Sequence, residues 1–231
     1  MNSSTFASVV DPVIDRLTPD EGGRMLHRNG LVFAGHFVAE SSDLPIASGP
    51  VTVRVSKALG LPGKAPDVVG AAVRFLPEAA GDSGWDLMLG GPARRIVRLP
   101  IVRPAIGWDR VPLTADCEYN YGEYNYGEDD YREYEYGESR WRISGELLAP
   151  TTGTGLDTHA LASSLFQTPA VLTLAAKREG APTAPIGTVE FGGAQLPDDI
   201  DFDPMRTPQR VRPVRDWWDD VCRAGYRGRN G

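Results

Sequence analysis

Apolar residues of this chain gather into short runs interrupted by clusters of Gly, Pro, Ser and Asp. The runs Leu31 to Ala39, Pro50 to Ser56, Val68 to Phe75, Trp85 to Leu89 and Ile96 to Val102 each have the length of a β-strand, as do Arg140 to Leu148, Ala170 to Ala176 and Ile186 to Phe191. About eight strands of this size predict an antiparallel sheet closed into a barrel, with a two-sheet sandwich as the other arrangement. Helical spacing occurs in three places. Val9, Val10, Val13, Ile14 and Leu17 predict a short N-terminal helix over Phe6 to Leu17, stopped by Thr18, Pro19, Asp20 and a Gly pair. Leu156 to Phe166 predicts a second helix. Pro213 to Tyr226, with Val214, Trp217, Trp218, Val221 and Cys222, predicts a third, on which Trp218, Cys222 and Tyr226 are spaced four apart and share a side. The expected fold class is therefore mainly β with α+β character: an eight-stranded antiparallel barrel with a short N-terminal helix and a C-terminal helix packed on it.

One block breaks the pattern. Glu118-Tyr-Asn-Tyr-Gly is followed by Glu123-Tyr-Asn-Tyr-Gly and echoed at Glu133-Tyr-Glu-Tyr-Gly, so that seven of the eight tyrosines lie here and only Tyr226 lies elsewhere. Acids from Asp116 to Glu138 face the single base Arg132, which localises the negative charge. We read 116–139 as a solvent-facing acidic, Tyr-rich insertion within one domain spanning 1–231. Two uses for it stand open, a solvated acidic loop and a set of phenols that an oxidising centre could modify.

With 231 residues and 41% apolar content the chain can bury one good-sized core, and its net charge of −7 argues against a nucleic-acid or anionic-membrane partner, either of which wants a basic surface. Met1 to Leu17 lacks a basic segment followed by an apolar run, so the expected location is cytoplasmic. Cys117 and Cys222 show no ligand spacing and read as reduced bystander thiols.

Four stretches together carry a family likeness. Arg24-Met-Leu-His27-Arg-Asn-Gly30, then Gly35-His36-Phe37, resembles the distal segment of the catalase superfamily without a gap. Val51-Thr-Val-Arg54-Val-Ser56 is similar to the family's Val-Arg-Phe-Ser strand, and Asp67 to Phe75 and Trp85-Asp86-Leu87 follow in the family's order. Ile200-Asp-Phe202-Asp203-Pro204 resembles the lead-in to the proximal helix. Counting on from there, Tyr226 falls on the haem-ligating tyrosine. The resemblance implies haem b as cofactor, with Tyr226 as the axial ligand of its iron, His27 as the distal acid/base and Ser56 as its hydrogen-bond partner. It further implies that Arg24 and Arg54 face haem propionates. His36 reads as a barrel-wall residue.

Two departures shape the expected activity. Where the family carries Gly-Asn-Asn-Thr-Pro, this chain has Met88-Leu89-Gly90-Gly91-Pro92, which removes the Asn that orients peroxide; and the family's Arg four residues before the ligand tyrosine is Cys222, with Arg227 or Arg229 as substitutes. Peroxidase-type oxidation by hydrogen peroxide or an organic hydroperoxide is expected, with weak or no true catalase activity. A small-molecule peroxide and a reducing co-substrate are then the partners, and a homo-oligomer is compatible with the sequence. Two alternatives accompany this: a haem-free barrel serving as a binding or interaction module, and a biosynthetic haem enzyme that oxidises a Tyr-rich peptide, its own insertion included.

Overall fold

The structure is a computed structural model that describes residues 27, 30–77, 84–91, 93–96, 99–115, 119–121, 139–150, 155–203, 206–208 and 211–213. The strands are β1 (Gly30–Ala39), β2 (Gly49–Lys57), β3 (Val69–Phe75), β4 (Trp85–Gly90), β5 (Ala93–Ile96), β6 (Leu99–Val102), β7 (Val111–Ala115), β8 (Tyr119–Tyr121), β9 (Ser139–Leu148), β10 (Ala170–Arg178), β11 (Thr183–Leu196) and β12 (Val211–Pro213). One helix, α1 (Thr158–Gln167), lies among the described residues. The helices expected over Phe6 to Leu17 and Pro213 to Tyr226 fall outside them, apart from Pro213 in β12.

Hydrogen bonding runs β10-β11-β1-β2-β3-β4-β7-β9 and returns to β10, which closes an eight-stranded antiparallel barrel. Closure leaves these strands no long free edge, and it gives every strand one inward and one outward row. Inward, Phe33, Val53, Val73 and Leu87 stand side by side across β1 to β4, with Val55, Ala71 and Leu89 one row further along. Ile143, Leu147, Leu172, Leu174 and Val189 complete the interior from the opposite wall. These positions belong to the apolar runs that marked the strands in the sequence.

Two departures from the sequence reading concern the sheet. Ile96 to Val102, expected as one barrel strand, is split: Ala93–Ile96 and Leu99–Val102 pair with each other as a two-stranded sheet apart from the barrel. The eighth barrel strand is instead β7, at Val111–Ala115, a stretch that the sequence reading did not assign. Pro112 sits opposite Glu146 of β9, while β4 pairs only with Thr114 and Ala115, so the proline occupies an edge-like position where no ladder donor is missed. Within the Tyr-rich block, Tyr119–Tyr121 pair with β9 on one side and β12 on the other.

Helix α1 starts at Asp157, whose carboxylate accepts from the His159 and Ala160 backbone N–H groups at 2.9 and 3.2 Å. Those bonds hold the Asp157 carboxyl below its ordinary value, the Ala160 bond contributing most. Leu161 and Leu165, one turn apart, are buried. The helix ends because Pro169 forces Thr168 into extended backbone.

Candidate functional site

The outward row of β1 to β4 carries the candidate site. Gly30, Ser56 and Gly70 are direct cross-strand neighbours, as are Val32, Arg54, Ala72 and Met88 in the next row and Ala34, Thr52, Arg74 and Asp86 in the row beyond. Ser56 thus stands between two glycines, and each glycine leaves room for a larger side chain to lie flat on the sheet. A Cβ on Gly70 would lie 2.5 Å from His27 Cε1, and one on Gly30 would lie 2.4 Å from the central carbon of the Arg54 guanidinium. The imidazole and the guanidinium occupy the space those two methyl groups would take.

His27 is fixed from several sides. Its Nδ1 lies 2.8 Å from Ser56 Oγ, its backbone N–H donates to the Ala58 carbonyl at 2.9 Å, and its carbonyl accepts from Arg54 Nη2 at 2.8 Å. The residue adopts φ 57°, in the left-handed region that side chains with a Cβ disfavour. When Nδ1 donates its proton to Ser56, Nε2 carries the ring's lone pair, the form a general base requires.

Arg54 is buried at 4% exposure and forms a fork with Asp198: Nε to Oδ1 at 2.6 Å and Nη2 to Oδ2 at 2.9 Å. The same Oδ2 accepts from the Gly30 backbone N–H at 2.9 Å. Beyond Asp198 the chain crosses the outer face of the sheet. Asp86, fully buried, receives Arg74 Nε and Nη2 at 2.7 and 2.6 Å and the Asp203 backbone N–H at 2.9 Å, while its own N–H donates to the Arg206 carbonyl. Arg74 also donates to the Asp201 carbonyl and lies 4.9 Å from the Phe202 ring centre. Its hydrogen bond to Asp86 holds the guanidinium above its usual range despite partial burial. Residues 198–203, with Arg206, therefore form a strap pinned to β1–β2 by Asp198 and to β3–β4 by Asp86.

An open-sided cleft of about 50 Å³ lies beside the strap, bordered by His27, Arg54, Ser56, Gly70, Ala71, Ala72, Met88, Leu89, Gly90 and Phe202. Its lining is apolar or small except at the His27, Ser56 and Arg54 end. Of the residues singled out from sequence, His27, Ser56 and Arg54 meet here; Arg24 and Tyr226 lie outside the described residues. Met88, Leu89 and Gly90, which stand in place of the Gly-Asn-Asn of the catalase pattern, border the cleft; Met88, in the outward row, brings a thioether there in place of an amide, while the Leu89 side chain belongs to the barrel core. Sequence reasoning missed Asp198 and the cradle at Gly70. The Gly30, Ser56 and Gly70 row would have been visible only with the strand register in hand.

No group of His, Cys, Asp and Glu among the described residues has the arrangement of a metal site. No helix among them is long and apolar enough to cross a membrane. No protein-family model matches the chain, and no curated protein matches it. The closed eight-stranded antiparallel barrel is consistent with the catalase-superfamily shape that the sequence resemblance implied.

Proposed function

We propose that this chain is a haem-dependent oxidoreductase of peroxidase type, acting on hydrogen peroxide or an organic hydroperoxide. The observation that carries the reading is the His27–Ser56 pair at 2.8 Å, set over Gly70 at the edge of a cleft whose floor is otherwise apolar or small. That set suits the distal face of haem: the glycine and alanine floor admits a flat ring system, and an imidazole with an ordered tautomer meets peroxide chemistry. Tyr226 would ligate the iron, and Arg24 and Arg54 would answer the propionates. Bound haem would supply ferric iron with an open coordination position and the capacity to accept oxidising equivalents from a peroxide.

The chain's own residues do the rest. Ser56 would hold the imidazole so that Nε2 could take a proton from one hydroperoxide oxygen and deliver it to the other. Met88 and Phe202 keep the cleft wall apolar, which favours an organic hydroperoxide over a second small polar peroxide molecule. Weak disproportionation and stronger oxidation of a reducing co-substrate follow. Parallel assays of oxygen release and of dye oxidation test this; the reading fails if oxygen release dominates or if neither occurs in haem-loaded protein.

A second reading is favoured by one observation. Asp198 already neutralises Arg54, so the barrel balances this charge without an external carboxylate. On that reading the chain is a haem-free binding module, and concentrated protein is colourless. Oxidation of the chain's own Tyr-rich block is a further outcome of the haem reading, read as a mass gain on tyrosine peptides after peroxide treatment.

A further inference from the structure

A guanidinium does not shed its charge, so burying Arg54 requires a fixed anion, and Asp198 supplies it from 144 residues further along the chain. The geometry does more than balance charge. Asp198 Oδ2 binds the Gly30 backbone N–H, and Arg54 Nη2, held by that same oxygen, binds the His27 carbonyl. One carboxylate thus secures both ends of the 27–30 segment, directly at Gly30 and through Arg54 at His27. The constraint has something to hold, because His27 is the one non-glycine residue of positive φ among the described residues.

We propose that Asp198 is a positioning residue for His27: acting through Arg54 and Gly30, it keeps the imidazole against Ser56 and over Gly70. The proposal rests on the reading of His27 as the group that moves the proton. With a neutral amide at 198, the Arg54 fork loses its charged partner and turns toward water, the His27 carbonyl is released and the backbone relaxes out of the left-handed region. The ring then loses the 2.8 Å contact that selects its tautomer.

The test is a long-range proton–nitrogen spectrum of the imidazoles in the full chain labelled with ¹⁵N-histidine, the His27 signals being assigned with His27→Gln. Wild-type protein is expected to show one dominant His27 tautomer, and Ser56→Ala to show its loss. Asp198→Asn should reproduce that loss while the signals of His36 and His159 stay in place, and Asp198→Glu should restore the dominant form. A merely structural role would lower the melting temperature of Asp198→Asn and leave the His27 tautomer as in wild type, which overturns the proposal. Should Asp198→Asn fail to fold, Arg54→Lys gives the decision, since it keeps the charge and loses the fork: an unchanged His27 tautomer refutes the proposal. These spectra need no haem, so failure to bind haem would sink the enzymatic reading and leave this result standing.

Discussion

Replacing Gly70 by alanine adds one methyl group beneath the His27 ring, and the structure fixes what that methyl meets. Its ideal position lies 2.5 Å from Cε1, 2.9 Å from Nδ1 and 3.2 Å from Nε2, whereas carbon atoms in contact rest at about 3.5–4.0 Å. Gly70 sits in β3 outside the left-handed region, so the backbone accepts alanine, and the smaller entropy of the unfolded chain contributes about 0.4–1 kcal/mol in favour of the variant. β3 is hydrogen-bonded to β2 and β4 and does not yield. The ring must therefore shift by about 1 Å, which lengthens and misaligns the 2.8 Å Nδ1–Ser56 contact. Overpacking of this kind costs about 1–3 kcal/mol, leaving a net loss of about 0–2.6 kcal/mol after the backbone gain. A displacement of about 1 Å in an acid/base group costs about a hundredfold in turnover. Haem-loaded Gly70→Ala, assayed for hydroperoxide-dependent dye oxidation alongside thermal melting, should keep its haem and melting cooperativity and lose turnover on that scale. Wild-type turnover in a folded, haem-loaded variant would refute the placement of His27 as the proton-moving group.

Further predictions follow from the same contacts. Ser56→Ala removes one neutral hydrogen bond and should cost about 1 kcal/mol in urea unfolding, with a smaller fall in turnover than His27→Ala, whose loss should reach about 10²–10⁴-fold. Asp86→Asn leaves Arg74 without its buried carboxylate and loosens the strap; we expect about 3 kcal/mol lost on unfolding and faster proteolytic cleavage within 198–203. Asp157 titrates below its ordinary 3.8 in the folded chain, so its contribution to stability is present above that value and is lost as pH falls through the lowered one. Melting temperature followed from about pH 5 to about pH 2 should fall less steeply for Asp157→Asn than for wild type, and parallel curves would contradict the cap assignment.

Much of the barrel was legible because closure demands alternation. Val51, Val53 and Val55 point inward while Arg54 and Ser56 point outward, a period of two that a short sequence window reveals. The pairing of 93–96 with 99–102 was hidden because the run Ile96 to Val102 carries no Gly, Asn or Asp to mark an interruption. Pro112 concealed β7 for the opposite reason, being a breaker that sits where β4 does not pair. In the site, His27, Ser56 and Arg54 could be singled out because they lie on short local patterns. Asp198 could not, since its meaning depends on an ion pair spanning 144 residues, and the role of Gly70 appears only once β2 and β3 are in register.

We propose the cleft of His27, Ser56 and Arg54 as one face of a haem site completed by Tyr226. The most direct measurement is an ultraviolet–visible spectrum of the full chain produced with ample haem supply, with haem stoichiometry read from the pyridine haemochromogen. The account predicts near-equimolar haem with a high-spin tyrosinate-type spectrum, and a Soret band lost or strongly shifted in Tyr226→Phe. Colourless protein that takes up no haem, or a Soret band unmoved by Tyr226→Phe, would contradict it.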